Sequence, residues 1–132
     1  MYPFVKKEFL PYAEASTLKE LGFDEACFGV YYPEMDGNFY LYTIDIEELG
    51  SNNSDKVESI ACTAPTFSQA FRWFRETLNL IGIVEVGYNN GKHTFTYVIW
   101  NDFRDDTSDQ NYETHEEAEL SCLRELIKLV KY

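Results

Sequence analysis

Ala64-Pro-Thr-Phe-Ser-Gln-Ala-Phe-Arg-Trp-Phe-Arg-Glu-Thr-Leu-Asn79 sets how the rest of the chain is read. Phe67, Phe71, Phe74 and Leu78 recur at spacings of four, three and four. That rhythm places them on one stripe of a 3.6-residue helix. Pro65 holds Ala64 extended, and the Thr66 hydroxyl is placed to accept a hydrogen bond from an orphan backbone NH. Ala70 sits beside the stripe; Arg72, Arg75 and Glu76 fall on the solvated side. Each ring taken out of water contributes roughly 2–3 kcal/mol, which makes this helix an expected anchor of the core. Full burial of Phe71 would make Phe71→Ala cost about 3–5 kcal/mol. Trp73 lies on the flank of the stripe. It reads either as a residue at the core margin or, flanked by Arg72 and Arg75, as an anchor for a partner.

Upstream, Pro11 to Leu21 reads as a short helix with Ala15, Leu18 and Leu21 on its apolar side. Gly22 suits the residue after the last turn, and Phe23 is placed to fold back on Leu18. Ala26–Tyr32 and Asn38–Ile44 are rich in aromatic and β-branched residues and read as strands. Pro33–Gly37 is their loop, with Asp36-Gly37 as a turn pair. Asp45–Glu58 reads as a polar connection, and Val57–Thr63 as a short edge strand.

Downstream, Gly82–Tyr88 and His93–Trp100 form a second strand pair around Asn89-Asn90-Gly91-Lys92, since Asn-Gly tolerates the positive φ angles of a tight hairpin. Asp102–Glu113 reads as an acidic connection. Thr114-His-Glu-Glu117 has the spacing of a capping box and opens a last helix with a broad apolar side: Leu120, Cys122, Leu123, Leu126, Ile127, Leu129 and Val130. The expected fold is α+β, in the order α-β-β-α-β-β-α. One antiparallel sheet of four to five strands would carry three helices mainly on one face. A chain of 132 residues fits a single domain over 1–132.

The acidic side chains outnumber the basic ones by 23 to 11, a formal charge of −12. Such a surface repels phosphate backbones, which counts against direct nucleic-acid binding and favours a basic protein partner. Nucleic-acid mimicry is a narrower form of the same expectation. The first residues lack the apolar core of a secretory signal, and no run reaches the roughly 20 apolar residues that span a bilayer. Cys27, Cys62 and Cys122 are odd in number and widely spaced, as free thiols in a reducing cytoplasm would be. No glycine-rich phosphate cradle and no paired metal-ligand motif is present, so no cofactor or metal is expected.

Some pieces carry a resemblance: Ala64-Pro65, Gln69-Ala-Phe-Arg-Trp-Phe-Arg75, Tyr112-Glu-Thr-His-Glu-Glu-Ala-Glu-Leu120 with Cys122-Leu123, and Leu21-Gly-Phe-Asp-Glu-Ala-Cys-Phe-Gly29. Together they resemble a family of small uncharacterised proteins from gut Bacteroidales genomes and their phages, from about Phe9 onward. The resemblance implies a cytoplasmic protein of mobile-element origin and brings no catalytic residue with it.

His93 and His115 are the available bases, and Asp102-Phe-Arg-Asp-Asp-Thr-Ser-Asp109 is the nearest approach to a cation loop. That segment lacks the Asp-x-Asp-x-Asp-Gly pattern and its distant Glu. A catalytic alternative, a small hydrolase or ligand-binding protein, would need a cleft between the sheet and the last helix that gathers His93 or Asp-rich loop residues. The leading expectation is a protein-binding or self-associating module without catalysis. Its candidate contact residues are Tyr31, Tyr40, Tyr42 and Trp100 on an aromatic sheet face, Trp73 with Arg72 and Arg75 on the central helix, and Asp105, Asp106 and Asp109 in the acidic connection. That face is either open to a partner or dimer mate or covered by a loop or the first helix.

Overall fold

Pro11 ends an extended entry (ψ 157°) and caps helix α1, Tyr12–Glu20. The helix closes as its sequence predicts. Phe23 N–H donates to Leu18 O (2.9 Å) and Gly22 N–H to Lys19 O (3.1 Å), the paired bonds of a Schellman ending. Leu18 and Phe23 are both fully buried.

The structure is a computed structural model that describes residues 6–43, 60–101, 105–107 and 111–131, the backbone alone at 105–107. The expected connection Asp45–Glu58 and the Ile44 end of the second strand lie outside the described residues, as does Asp109. By their contacts the chain's residues fall into two compact units, divided between Ala70 and Phe71.

In the first unit, strands β1 (Gly29–Pro33) and β2 (Phe39–Thr43) pair antiparallel, with Tyr32 opposite Tyr40 and Val30 opposite Tyr42. Their loop is closed by Gly37 N–H donating to Glu34 O (3.0 Å) and Glu34 N–H donating to Asn38 O (2.9 Å). Asp36 Oδ1 accepts from Asn38 N–H (2.9 Å), the local bond that makes aspartate a turn residue. Strand β3 (Cys62–Ala64) pairs with the other side of β1, giving the order β2-β1-β3. It keeps only the C-terminal part of the expected Val57–Thr63 strand; 57–59 lie outside the described residues. The central position of β1 explains why Gly29, Val30 and Tyr31 are all buried, while edge strand β2 is largely exposed. Lys19 Nζ ties α1 to the chain before β3 by donating to Ala61 O (2.8 Å), and Leu10 N–H donates to Pro65 O (3.0 Å).

Helix α2, Phe67–Leu78, carries the boundary between the units. Thr66 Oγ1 accepts from Gln69 N–H at 3.2 Å, the cap expected of it. The buried positions, however, are Ala70, Trp73 and Phe74, and Phe67, Phe71 and Leu78 are only partly covered. The inward stripe is thus turned toward Trp73, which at 5% exposure is a core residue. Spacing alone located the apolar side, but two adjacent aromatics can share a helix's inner face, and packing decides which lies deepest. Asn79 then takes a left-handed φ of 54°, and Leu80 N–H donates to Phe74 O (3.1 Å).

In the second unit, β4 (Ile81–Asn89) and β5 (Lys92–Trp100) form the predicted hairpin, in register from Ile81–Trp100 to Asn89–Lys92. Asn90 (φ 53°) and Gly91 (φ 81°) make its two-residue turn, both with the positive φ that such a turn demands. Strand β6 (Asp105–Thr107) pairs with Val98–Trp100, so part of the expected acidic loop is a strand. Helix α3, His115–Lys131, starts with Thr114 Oγ1 accepting from Glu117 N–H at 3.1 Å. It buries Ala118, Cys122, Leu123, Leu126 and Ile127. A Cβ at Gly82 would sit 2.8 Å from both Cys122 Sγ and Phe71 Cε1, so only glycine lets β4 pass the helices at that height.

The α+β class, the three helices and the element order agree with the sequence reading. The single sheet does not: the described strands form two three-stranded sheets, β2-β1-β3 and β4-β5-β6. Each is one hairpin completed by a short third strand, Cys62–Ala64 or Asp105–Thr107. Those short strands pair along β1 and β5, one edge of each hairpin. Three residues leave too little periodicity to be read from sequence.

Candidate functional site

Period-two alternation sorts the tyrosines of β1 and β2 onto opposite faces. Tyr31 faces α1. Its ring meets Tyr12 edge-on at 5.4 Å, and Tyr12 stacks on Phe39 at 4.0 Å with the planes 4° apart. The Tyr31 hydroxyl donates to Leu10 O (2.6 Å), and burial pushes its pKa up to about 12. Tyr31 is therefore a structural residue and not the exposed contact residue expected of it. The reason is register: Tyr32, not Tyr31, stands opposite Tyr40.

On the other face Val30 is fully buried. Tyr32, Tyr40 and Tyr42 share that face, with Tyr32 opposite Tyr40 and the Tyr32 and Tyr42 rings edge-on at 5.5 Å. Tyr40 and Tyr42 are each 43% exposed. The loop folds two carboxylates back onto these rings. The Tyr40 hydroxyl donates to Asp36 Oδ2 (2.5 Å), and the Tyr42 hydroxyl donates to Glu34 Oε1. Glu34, Asp36, Tyr40 and Tyr42 line a shallow, wide-open groove of about 370 Å³. Met35 at the loop tip is fully exposed.

The electrostatics follow the hydrogen bonds. The Tyr40 hydroxyl, aided by Asn38 N–H, holds Asp36 below the usual carboxylate range. Asp36 in turn raises the Tyr40 phenol, and Glu34 raises that of Tyr42. At neutral pH the groove presents two carboxylates and the π-faces of neutral phenols. Among the described residues neither carboxylate has a cationic partner. Such a surface suits a cation and repels an anion.

The remaining candidates within the described residues belong to the second unit. Trp73 is buried, with its ring edge-on to Phe74 at 5.1 Å, so it offers no exposed anchor between the exposed Arg72 and Arg75. Trp100 is 47% exposed but belongs to the second sheet, opposite Ile81. The four aromatic residues expected on one sheet face thus belong to two sheets. Asp105 and Asp106 lie in β6, opposite Trp100 and Ile99.

His93 and His115 are exposed, each beside an aromatic ring: Tyr88 at 5.4 Å and Phe95 at 5.9 Å. The three cysteines are free and buried, and burial pushes their pKa values up to about 12, 11 and 12 for Cys27, Cys62 and Cys122. They are neutral thiols at pH 7, the opposite of an activated nucleophile. At Gly82 strand β4 packs closely against Cys122 and Phe71, within 2.8 Å of where a Cβ would sit. Among the described residues no group of three His, Cys, Asp or Glu is placed to hold a metal ion, and no helix is long and apolar enough to cross a membrane.

Glu34 and Asp36 are the site residues that sequence reading missed, since the sequence marks Asp36 only as a turn residue. The signal for Glu34 was present in the turn: once Asp36-Gly37 closes the hairpin, alternation carries Glu34 to the side of Tyr32, Tyr40 and Tyr42. No family model, curated protein or solved structure matches the chain.

Proposed function

We propose that this protein is a cytoplasmic binding module without catalysis that docks a basic partner protein on the open face of its β1–β2 hairpin. The observation that carries the reading is the groove itself, where two partly exposed tyrosines are pinned to two carboxylates. The chain's net charge of −12 supports it, because that field enriches cationic partners and speeds their encounter. Three free, buried thiols support the reducing setting.

The test is calorimetric titration with a short peptide of mixed lysine and arginine at low and high salt, on wild type and on a Tyr40→Ala/Tyr42→Ala variant. Binding should weaken as salt rises and be lost in the variant. Binding that ignores salt, or that survives the double substitution, would overturn the reading. So would a wild-type protein that dimerises by light scattering and leaves the peptide untouched.

A further inference from the structure

We infer that the groove between Glu34, Asp36, Tyr40 and Tyr42 receives an arginine side chain of the partner protein, in preference to a lysine. The inference rests on the binding-module reading above and specifies its ligand. Both tyrosine hydroxyl protons are already given to carboxylates, so each ring offers a visitor its π-face. Tyr32 backs the pair, its ring edge-on to that of Tyr42 (5.5 Å, 74°), which limits the freedom of the Tyr42 ring to turn away. A ring fixed in advance loses less side-chain entropy when it stacks.

The carboxylates keep acceptor capacity. An ionised carboxylate has about four lone-pair sites. Asp36 uses one on Tyr40 and one on Asn38 N–H, and among the described residues Glu34 accepts from Tyr42 through Oε1. A visitor must therefore stack flat on a phenol and, in the same pose, donate sideways to a carboxylate. A guanidinium does both: it is planar, weakly hydrated and carries its donors in a fixed fork. A lysine ammonium is a compact, strongly hydrated charge that gains less from an open groove. The exposed Met35, between Glu34 and Asp36 in the loop, gives an apolar contact to the residues flanking such an arginine, which a free cation would not use.

The experiment compares three peptides of one Gly-Ser sequence carrying spaced arginines, lysines or citrullines. Citrulline keeps the planar shape and removes the charge. Affinity is read by calorimetry, and the contact face by amide chemical-shift changes on the labelled protein. The arginine peptide should bind several-fold tighter than the lysine peptide and on the order of tenfold tighter than the citrulline peptide, as one exposed cation–π contact plus one ion pair implies. Tyr40→Phe/Tyr42→Phe should retain the arginine preference, because the ring faces remain. Tyr40→Ala/Tyr42→Ala should abolish binding of the arginine and the lysine peptide alike, and the arginine preference with it.

Equal affinity for arginine and lysine, both lost in the alanine variant, would overturn the arginine assignment and leave the module reading standing. An arginine preference that survives the alanine variant, or shifts confined to residues outside the β1–β2 hairpin, would overturn it as well. Failure of every cationic peptide to bind would remove both.

Discussion

Phe74 and Phe71 show how far one residue's consequences depend on packing. Both belong to the stripe that identifies α2, yet Phe74 is fully buried and Phe71 is not. Phe74→Ala should cost about 3–5 kcal/mol, the usual loss for emptying a closed aromatic site. Phe71→Ala should cost clearly less, and urea midpoints of the two variants measured side by side check the order. The same depth of burial governs the thiols. Burial raises the folded-state pKa of Cys27, Cys62 and Cys122 from 9.0 to about 12, 11 and 12. For groups that ionise to anions, a raised folded pKa means that the neutral form is held by the fold. Their contribution to stability is complete below about pH 9, the unfolded value, and is lost as pH climbs toward about 11 and above. Urea midpoints should accordingly fall between about pH 9 and 11, and thiol labelling at pH 7 should be slow until denaturant is added. Labelling in native buffer as fast as in urea would contradict this. Free cysteines were legible from number and spacing; their depth was not, because burial depends on what covers a residue from elsewhere in the chain.

Helix and turn ends were the most legible features, since the chemistry that sets them is local. Thr66 and Thr114 cap their helices as predicted, and the bonds are short-range: Gln69 N–H to Thr66 and Glu117 N–H to Thr114. Thr114→Ala should lower stability by about 1 kcal/mol, whereas Thr114→Asp should keep most of it, since aspartate also accepts from the first turn and favours its positive end. Thermal unfolding of the two variants checks this. The Asn90-Gly91 turn and the Leu18–Phe23 helix ending were readable for the same reason. Strands were harder. Tyr31, Tyr40 and Tyr42 looked like one surface until register placed Tyr31 under α1 and left the other two in the open. Glu34 became a site residue only when the turn brought it to Tyr42.

At the scale of the molecule, charge and fold class were readable and sheet membership was not. A net charge of −12 follows from composition and already points toward cationic partners. Two hairpins in the sequence suggested one sheet. The observed division into β2-β1-β3 and β4-β5-β6 depends on two three-residue strands whose pairing is tertiary. It also puts Trp100 in a different sheet from Tyr40 and Tyr42, so the four aromatic residues do not share one sheet face.

By itself, the sequence determined the helices, their caps, both tight turns, the α+β order and the acidic field. Each is set by residues within a few positions of one another, or by a sum over the whole chain. Only the tertiary structure decided which tyrosines are exposed, that Trp73 is core, and that Glu34 and Asp36 lie against Tyr42 and Tyr40. Those outcomes rest on strand register and on what covers each face, and neither is encoded in any short stretch of chain.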